Sequence, residues 1–414
     1  MDLKITPSRQ IRGSVFAPSS KSYAHRYIIS AFLSRKSGFI KNVGNSNDVY
    51  ATLNALKAVG LDYEMKDDGV SVSYLGGKDN AVIDCKESGS TIRFLFPIIC
   101  ALGIKGEFIG SERLLSRPMQ DLTNCLNENG AKIRGFKISG KLSSGNYKIT
   151  GGVSSQFISG LLFALPILDG DSKIIIDGET VSKDYINITL SVLKDFNIRI
   201  EKTDYGYFVK GNQNYIMPNN MVVEGDYSGA SFILALGVIG GDVKVLNLNK
   251  QSVQGDRKII DALRLFGGNI EEIDDGFHAK KSTLNAIALD CEDIPDLVQI
   301  LSVVGAFASG KTVLKRVSRL QIKESDRIGG IIKNLEKAGV KAEFDGNDLT
   351  IYGNSPVGGI FSGDNDHRTV MSSSVLSAFC DGDSIVLGAE AVSKSYPNFF
   401  KDYIALGGQV DGDI

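Results

Sequence analysis

Ser154-Ser155-Gln156-Phe157-Ile158-Ser159-Gly160-Leu161-Leu162-Phe163-Ala164-Leu165 opens on a hydroxyl pair, then runs apolar around nearly every face of a helix and stops short of Gly170. A helix without a polar stripe has to be covered on all sides. Strand-like residues follow such a glycine, as in Gly310-Lys311-Thr312-Val313-Leu314 and Gly382-Asp383-Ser384-Ile385-Val386-Leu387. The local unit is therefore N-cap, buried helix, glycine C-cap, strand.

The unit recurs six times, at intervals of 64 to 72 residues. Its opening clusters are Pro18-Ser19-Ser20-Lys21-Ser22, Glu87-Ser88-Gly89-Ser90, Val153-Ser154-Ser155-Gln156, Glu224-Gly225-Asp226-Tyr227-Ser228, Asp293-Ile294-Pro295-Asp296 and Asp364-Asn365-Asp366-His367-Arg368. The closing glycines are Gly38, Gly106, Gly170, Gly241, Gly310 and Gly382. Self-similarity at a fixed period marks supersecondary units that need one another to bury a core. So long a period leaves room for a second, amphipathic helix and a strand pair in each unit, as at 48–60, 116–126, 256–267 and 326–339. Asp204-Tyr205-Gly206 is the turn of one such hairpin. The expectation is an α/β chain of six β/α units in two sets of three.

The 414 residues exceed one ordinary core, so two domains are expected. A hydrophobic content of 43% with 23% charged residues, no long apolar run and no N-terminal signal fit a soluble, cytoplasmic protein. A net charge of -2 argues against a nucleic-acid partner. Cys85, Cys100, Cys125, Cys291 and Cys380 form no Cys-x-x-Cys pair, and only His25, His278 and His367 are present. Reduced thiols and no metal are expected.

Gly305-Ala306-Phe307-Ala308-Ser309-Gly310-Lys311-Thr312 matches the phosphate-loop pattern letter for letter. That loop needs a strand before it and a helix after it. Here a helical run enters and a strand leaves, so the match reads as a turn.

Cations gather at helix starts: Lys21 and Arg26 around Ser22, Lys323 and Arg327 bracketing another start, four apart and so expected on one helical face, His367-Arg368, Arg117 before Pro118 at an expected first helical position, and Lys394 before the final helix. A helix N-terminus carries partial positive charge, so each costs a few tenths to about 1 kcal/mol unless an anion is near. One such residue is an ordinary surface charge. Six, with no carboxylate-rich partner segment evident, point to anionic ligands, and Ser154-Ser155-Gln156 and Ser88-Gly89-Ser90 supply hydroxyl and N–H donors.

Lys21-Ser22-Tyr23-Ala24-His25-Arg26, Glu87-Ser88-Gly89-Ser90-Thr91-Ile92-Arg93, Ser116-Arg117-Pro118, Ser154-Ser155-Gln156-Phe157, Lys323-Glu324-Ser325-Asp326-Arg327, Asn365-Asp366-His367-Arg368 and Lys394-Ser395-Tyr396-Pro397 together resemble the signature segments of the 5-enolpyruvylshikimate-3-phosphate synthases. The resemblance spans the chain. It implies transfer of the enolpyruvyl group of phosphoenolpyruvate to shikimate 3-phosphate, without metal or organic cofactor, by a monomer with no membrane or nucleic-acid partner. It implies two similar domains of the inside-out α/β barrel type, with inner helices and outer mixed sheets: residues 1–20 with 225–414, and residues 21–224, the active site lying in the cleft between them.

By the same resemblance Lys21, Ser22, Arg26, Ser154, Ser155, Gln156, Ser182, Tyr185 and Lys323 would hold shikimate 3-phosphate, with Arg319 and His367 also facing substrate. Lys21, Gly89, Arg117, Gln156, Arg327, Arg368 and Lys394 would hold phosphoenolpyruvate. Asp296 would take the proton of the 5-hydroxyl and Glu324 would protonate carbon, with Lys21 counted among the catalytic groups. Glu87, Ser90, Arg319 and Thr369 depart from the family's common residues. The alternatives are transfer to UDP-N-acetylglucosamine, whose enzymes carry a reactive cysteine where this chain has residues 112–117, and a non-catalytic anion-binding repeat.

Overall fold

A computed structural model of the chain describes residues 1–323 and 325–413. Its contacts divide into two units, Met1–Ser20 with Glu224–Ile414, and Lys21–Val223. The fold is a two-domain α/β architecture of mixed helices and sheets. Each unit is built from three repeats of one topology.

The repeat is clearest over residues 81–140. Strand Ala81–Asp84 leads into helix Gly89–Leu102 and returns as Gly106–Ile109, pairing parallel with the first strand. Helix Gln120–Glu128 follows, and the hairpin Ala131–Arg134 with Lys137–Gly140 adds antiparallel to the same sheet. A parallel pair needs a crossover, and here the buried helix supplies it.

All six four-stranded sheets share this order, one parallel pair and two antiparallel neighbours. Three are closed by distant strands. Met221–Val222 leads the sheet of Gly38–Lys41, and Arg12–Phe16 leads that of Asp242–Leu246. In the last repeat the chain's first strand, Leu3–Thr6, lies between Ser384–Val386 and the final strand Gln409–Asp411.

The helices after the opening clusters, Lys21–Ser34, Gly89–Leu102, Ser155–Ala164, Tyr227–Gly240, Val298–Phe307 and His367–Ser377, are buried almost throughout. The second helices, such as Asn47–Ala58 and Arg327–Lys337, bury one face only. Of the expected closing glycines Gly241 caps its helix, in extended backbone, whereas Gly310 follows the C-cap Ala308; Gly103 ends its helix in the left-handed region at φ 70°. Gly106 instead opens a strand, where an added Cβ would stand 2.8 Å from the Ala81 carbonyl oxygen. Gly305 to Thr312 runs from helix Val298–Phe307 into strand Lys311–Lys315, the reverse of a phosphate loop. Among the described residues no helix is long and apolar enough to cross a membrane.

The inner helices meet closely. Pro97, inside helix Gly89–Leu102, has no N–H to offer the Arg93 carbonyl one turn back. Gly160 of helix Ser155–Ala164 packs at that carbonyl: a Cβ there would lie 2.5 Å from the Arg93 oxygen and 2.9 Å from Pro97 Cγ. Backbone cannot step aside as a side chain can. Gly160→Ala is expected to destabilise residues 21–223 by about 1–3 kcal/mol. Thermal unfolding checks this, and an unchanged Tm contradicts the close approach.

Candidate active site

In residues 21–223 the starts of the three inner helices are tied together by polar side chains. Arg26 is 1% exposed. Its Nε donates to Thr189 Oγ1 at 2.8 Å, Nη1 to the Ser22 carbonyl at 2.7 Å and Nη2 to the Tyr185 carbonyl at 2.9 Å, with Phe94 stacked at 4.8 Å. No carboxylate pairs with it among the described residues. Burial lowers its pKa to about 9, with Tyr185 and Tyr23 opposing, so the group stays cationic at neutral pH. A buried cation held only by neutral acceptors is costly unless an anion joins it.

Other expected residues of this unit have polar partners of their own. Lys21 Nζ meets Asp48 at 2.8 Å. Arg93 Nη1 donates to Gln156 Oε1 at 2.8 Å, and Gln156 Nε2 to Ser90 Oγ at 2.9 Å. Ser154 caps the helix that Ser155 and Gln156 begin. A Cβ on Gly89 would meet Arg117 Nη1 at 2.7 Å. Ser182 takes a left-handed φ of 53°, and its hydroxyl does not cap the helix Lys183–Asp195. Such strain in a serine is typical of residues fixed for function.

In the other unit the starts of three inner helices also meet. Arg327, buried, joins Asp296 and Asp366 through Nη1 and Nε, each at 2.8 Å. Arg368 reaches the second Asp296 oxygen at 3.0 Å and donates to Ser228. Asp366, fully buried, caps its helix by accepting from the Arg368 N–H at 2.9 Å. His367 is buried in the same first turn, and Lys394 Nζ donates to the Asn365 carbonyl at 2.6 Å. Arg319 is half-buried, with Nη1 lacking a hydrogen-bond partner among the described residues. Burial lowers its pKa while Glu292, Asp293 and Asp296 oppose. Lys323 ends the short helix Ser318–Ile322. Glu324 lies outside the described residues.

The family model for EPSP synthase (3-phosphoshikimate 1-carboxyvinyltransferase) matches residues 5–403. The chain belongs to the EPSP synthase family. The 3-phosphoshikimate 1-carboxyvinyltransferase of Brachyspira hyodysenteriae is 41% identical, with 99% of this chain and all of the relative covered (100%). That of Clostridium novyi is 38% identical, covering 99% and 98%. EPSP synthase from Acinetobacter baumannii superposes with a TM-score of 0.84 over 99% of this chain and 100% of that one, at 23% identity. The enolpyruvyl transferase NikO from Streptomyces tendae gives 0.81 over 99% and 98%, at 15% identity. At such identities the two structures speak for the fold.

For an EPSP synthase family member, three details differ from the reading of the sequence. Carboxylate partners exist after all, in Asp48, Asp296 and Asp366, each distant in sequence from a cation it holds. Lys323 and Arg327 do not share a helical face, because Asp326 caps a helix that begins at Arg327. Arg117 and Pro118 precede the first turn, which starts at Gln120. Thr189, Arg93 and Asp366, which orient Arg26, Gln156 and Arg327, have no role in the sequence reading. Arg93 and Asp366 stand in the signature segments, whereas nothing near Thr189 in the sequence marks it.

Asp256 has no role in the sequence reading either. It is 5% exposed, with Oδ1 unpartnered among the described residues, and burial, then Asp296, pushes its carboxyl well above the ordinary range, against Arg368 and Ser228. A carboxyl whose folded pKa is raised contributes stability below its unfolded pKa, near 3.9, and loses it as pH rises through the folded value. Asp256→Asn removes that titration. Its Tm relative to the unsubstituted protein is expected to rise from about pH 4 and level off above about pH 7, and a pH-independent difference would refute the assignment.

Proposed function

We propose that the chain transfers the enolpyruvyl group of phosphoenolpyruvate to the 5-hydroxyl of shikimate 3-phosphate, giving 5-enolpyruvylshikimate 3-phosphate and inorganic phosphate. Curated relatives matched over nearly their full length bear the name of that activity. The observation in the chain itself that carries the reading is Arg26, a buried cation that among the described residues meets neutral acceptors alone. The phosphate of shikimate 3-phosphate supplies its counter-charge, with Ser154, Ser155, Gln156, Ser182, Tyr185, Ser22 and Lys323 completing the contacts. Arg319 and His367 face the same substrate.

Phosphoenolpyruvate lies on Lys21, Arg117, Arg327, Arg368 and Lys394, with Gly89 leaving room and Gln156 donating. Asp296 accepts the 5-hydroxyl proton as oxygen bonds to the enol carbon, and Glu324 delivers a proton to the methylene carbon. Phosphate then leaves as the carbon–oxygen bond breaks and the methyl group returns a proton, restoring the double bond. Asp296 is shared between Arg327 and Arg368. A bound substrate anion competes for these guanidiniums and frees carboxylate oxygens to act as base. The cations neutralise the leaving phosphate by position and charge. Residues 112–117 contain no cysteine, so nothing favours UDP-N-acetylglucosamine as acceptor.

Purified protein mixed with both substrates is expected to release phosphate; release only with UDP-N-acetylglucosamine would replace this reading. Asp296→Ala should retain substrate binding while kcat falls about 10²–10⁴-fold, and unchanged turnover would remove Asp296 from the mechanism. Gly89→Ala should push the tip of Arg117 aside, raising KM for phosphoenolpyruvate and weakening inhibition by glyphosate. Equal KM and equal sensitivity in both proteins would refute the steric argument.

A further inference from the structure

His25, between Lys21 and Arg26 in sequence, is buried at 1% exposure and belongs to neither proposed substrate contact set. Its Nδ1 lies 2.6 Å from Thr52 Oγ1, Thr52 Oγ1 lies 2.6 Å from Thr91 Oγ1, and Thr91 donates to Ser88 Oγ at 2.7 Å. Ser88 also accepts from the Thr91 N–H, capping helix Gly89–Leu102. All four side chains are fully or almost fully buried.

One hydroxyl carries one proton, so the order of donation is determined along the chain. Thr91 gives its proton to Ser88, Thr52 therefore gives its own to Thr91, and His25 must donate from Nδ1. Nε2 is then the bare nitrogen, and it has no partner among the described residues. An orphan acceptor is less costly than an orphan N–H. Burial, then the Lys21 and Arg26 cations, lowers the ring's pKa well below its ordinary value, which keeps it neutral.

The connection runs between working parts. Lys21 and His25 are one turn apart on helix Lys21–Ser34, Asp48 and Thr52 are one turn apart on helix Asn47–Ala58, and the two pairs join as successive rungs. From Thr52 the third rung reaches the first turn of helix Gly89–Leu102. We propose that His25 is a positioning residue: through Thr52 and Thr91 it sets the helix start bearing Lys21, Ser22 and Arg26 in register with the start bearing Gly89 and Ser90. This rests on the reading that those starts bind the two substrates.

The test compares His25→Leu, Thr52→Val and His25→Asn in the full chain. Asn keeps an N–H at the δ position and drops the ring's bare nitrogen. Leu and Val are expected to raise KM for phosphoenolpyruvate about 5- to 30-fold with kcat within about twofold, while Asn restores KM. The double variant should be no worse than either single, since both cut one chain. Unchanged KM in Thr52→Val, or no rescue by Asn, would overturn the proposal while leaving the activity standing. Should the unsubstituted protein release no phosphate, nitrogen NMR of His25 still decides: a protonated Nδ1 and bare Nε2 support the network, and the opposite tautomer overturns it.

Discussion

A helix that is apolar on every face must be covered on every face, and this requirement organises each unit. Three such helices share each interior, with sheets and amphipathic helices covering them. Their flanks are committed to packing, so tightly that Gly160 cannot carry a methyl group beside the Arg93 carbonyl. Only the ends of the helices remain available for chemistry. In both units the three N-terminal ends meet through polar side chains, and the partial positive charges of aligned peptide dipoles converge there.

The two units use that shared geometry in opposite electrostatic ways. In residues 21–223 Arg26 meets neutral acceptors and no carboxylate among the described residues, while Arg93 donates to Gln156. In the other unit charge is nearly matched, with Arg327 and Arg368 held by Asp296 and Asp366. The first arrangement suits a dianionic phosphate. The second keeps the Asp296 carboxylate between two guanidiniums, the arrangement from which its proposed role as base is argued.

Much of this was legible in the residues. The repeat, the buried helices and the identity of the clusters follow from periodicity and from polar residues at helix starts, which are local properties. The pairing of charges was not legible, because Asp48, Asp296 and Asp366 reach their cations across 27, 31, 39 and 72 positions of chain (Lys21, Arg327, Arg327 and Arg368). The helix after Arg117 begins a few residues later than expected, and Lys323 falls before the cap Asp326, because a cap decides such a boundary and propensity does not.

The sequence by itself determined the architecture's grammar: six helices that must be buried, the strands after them, and a set of residues at helix starts whose family resemblance names a chemistry. Tertiary structure alone decided how the rings of repeats close, since Leu3–Thr6 finds Ser384–Val386 and Gln409–Asp411 by long-range pairing that no local pattern encodes. It alone decided which cations meet a carboxylate, Arg26 having none among the described residues, and how His25 is joined to Thr91. The physical reason is the same in each case: periodicity is written in neighbouring residues, whereas a hydrogen bond or ion pair belongs to whichever groups the packing brings within 3 Å.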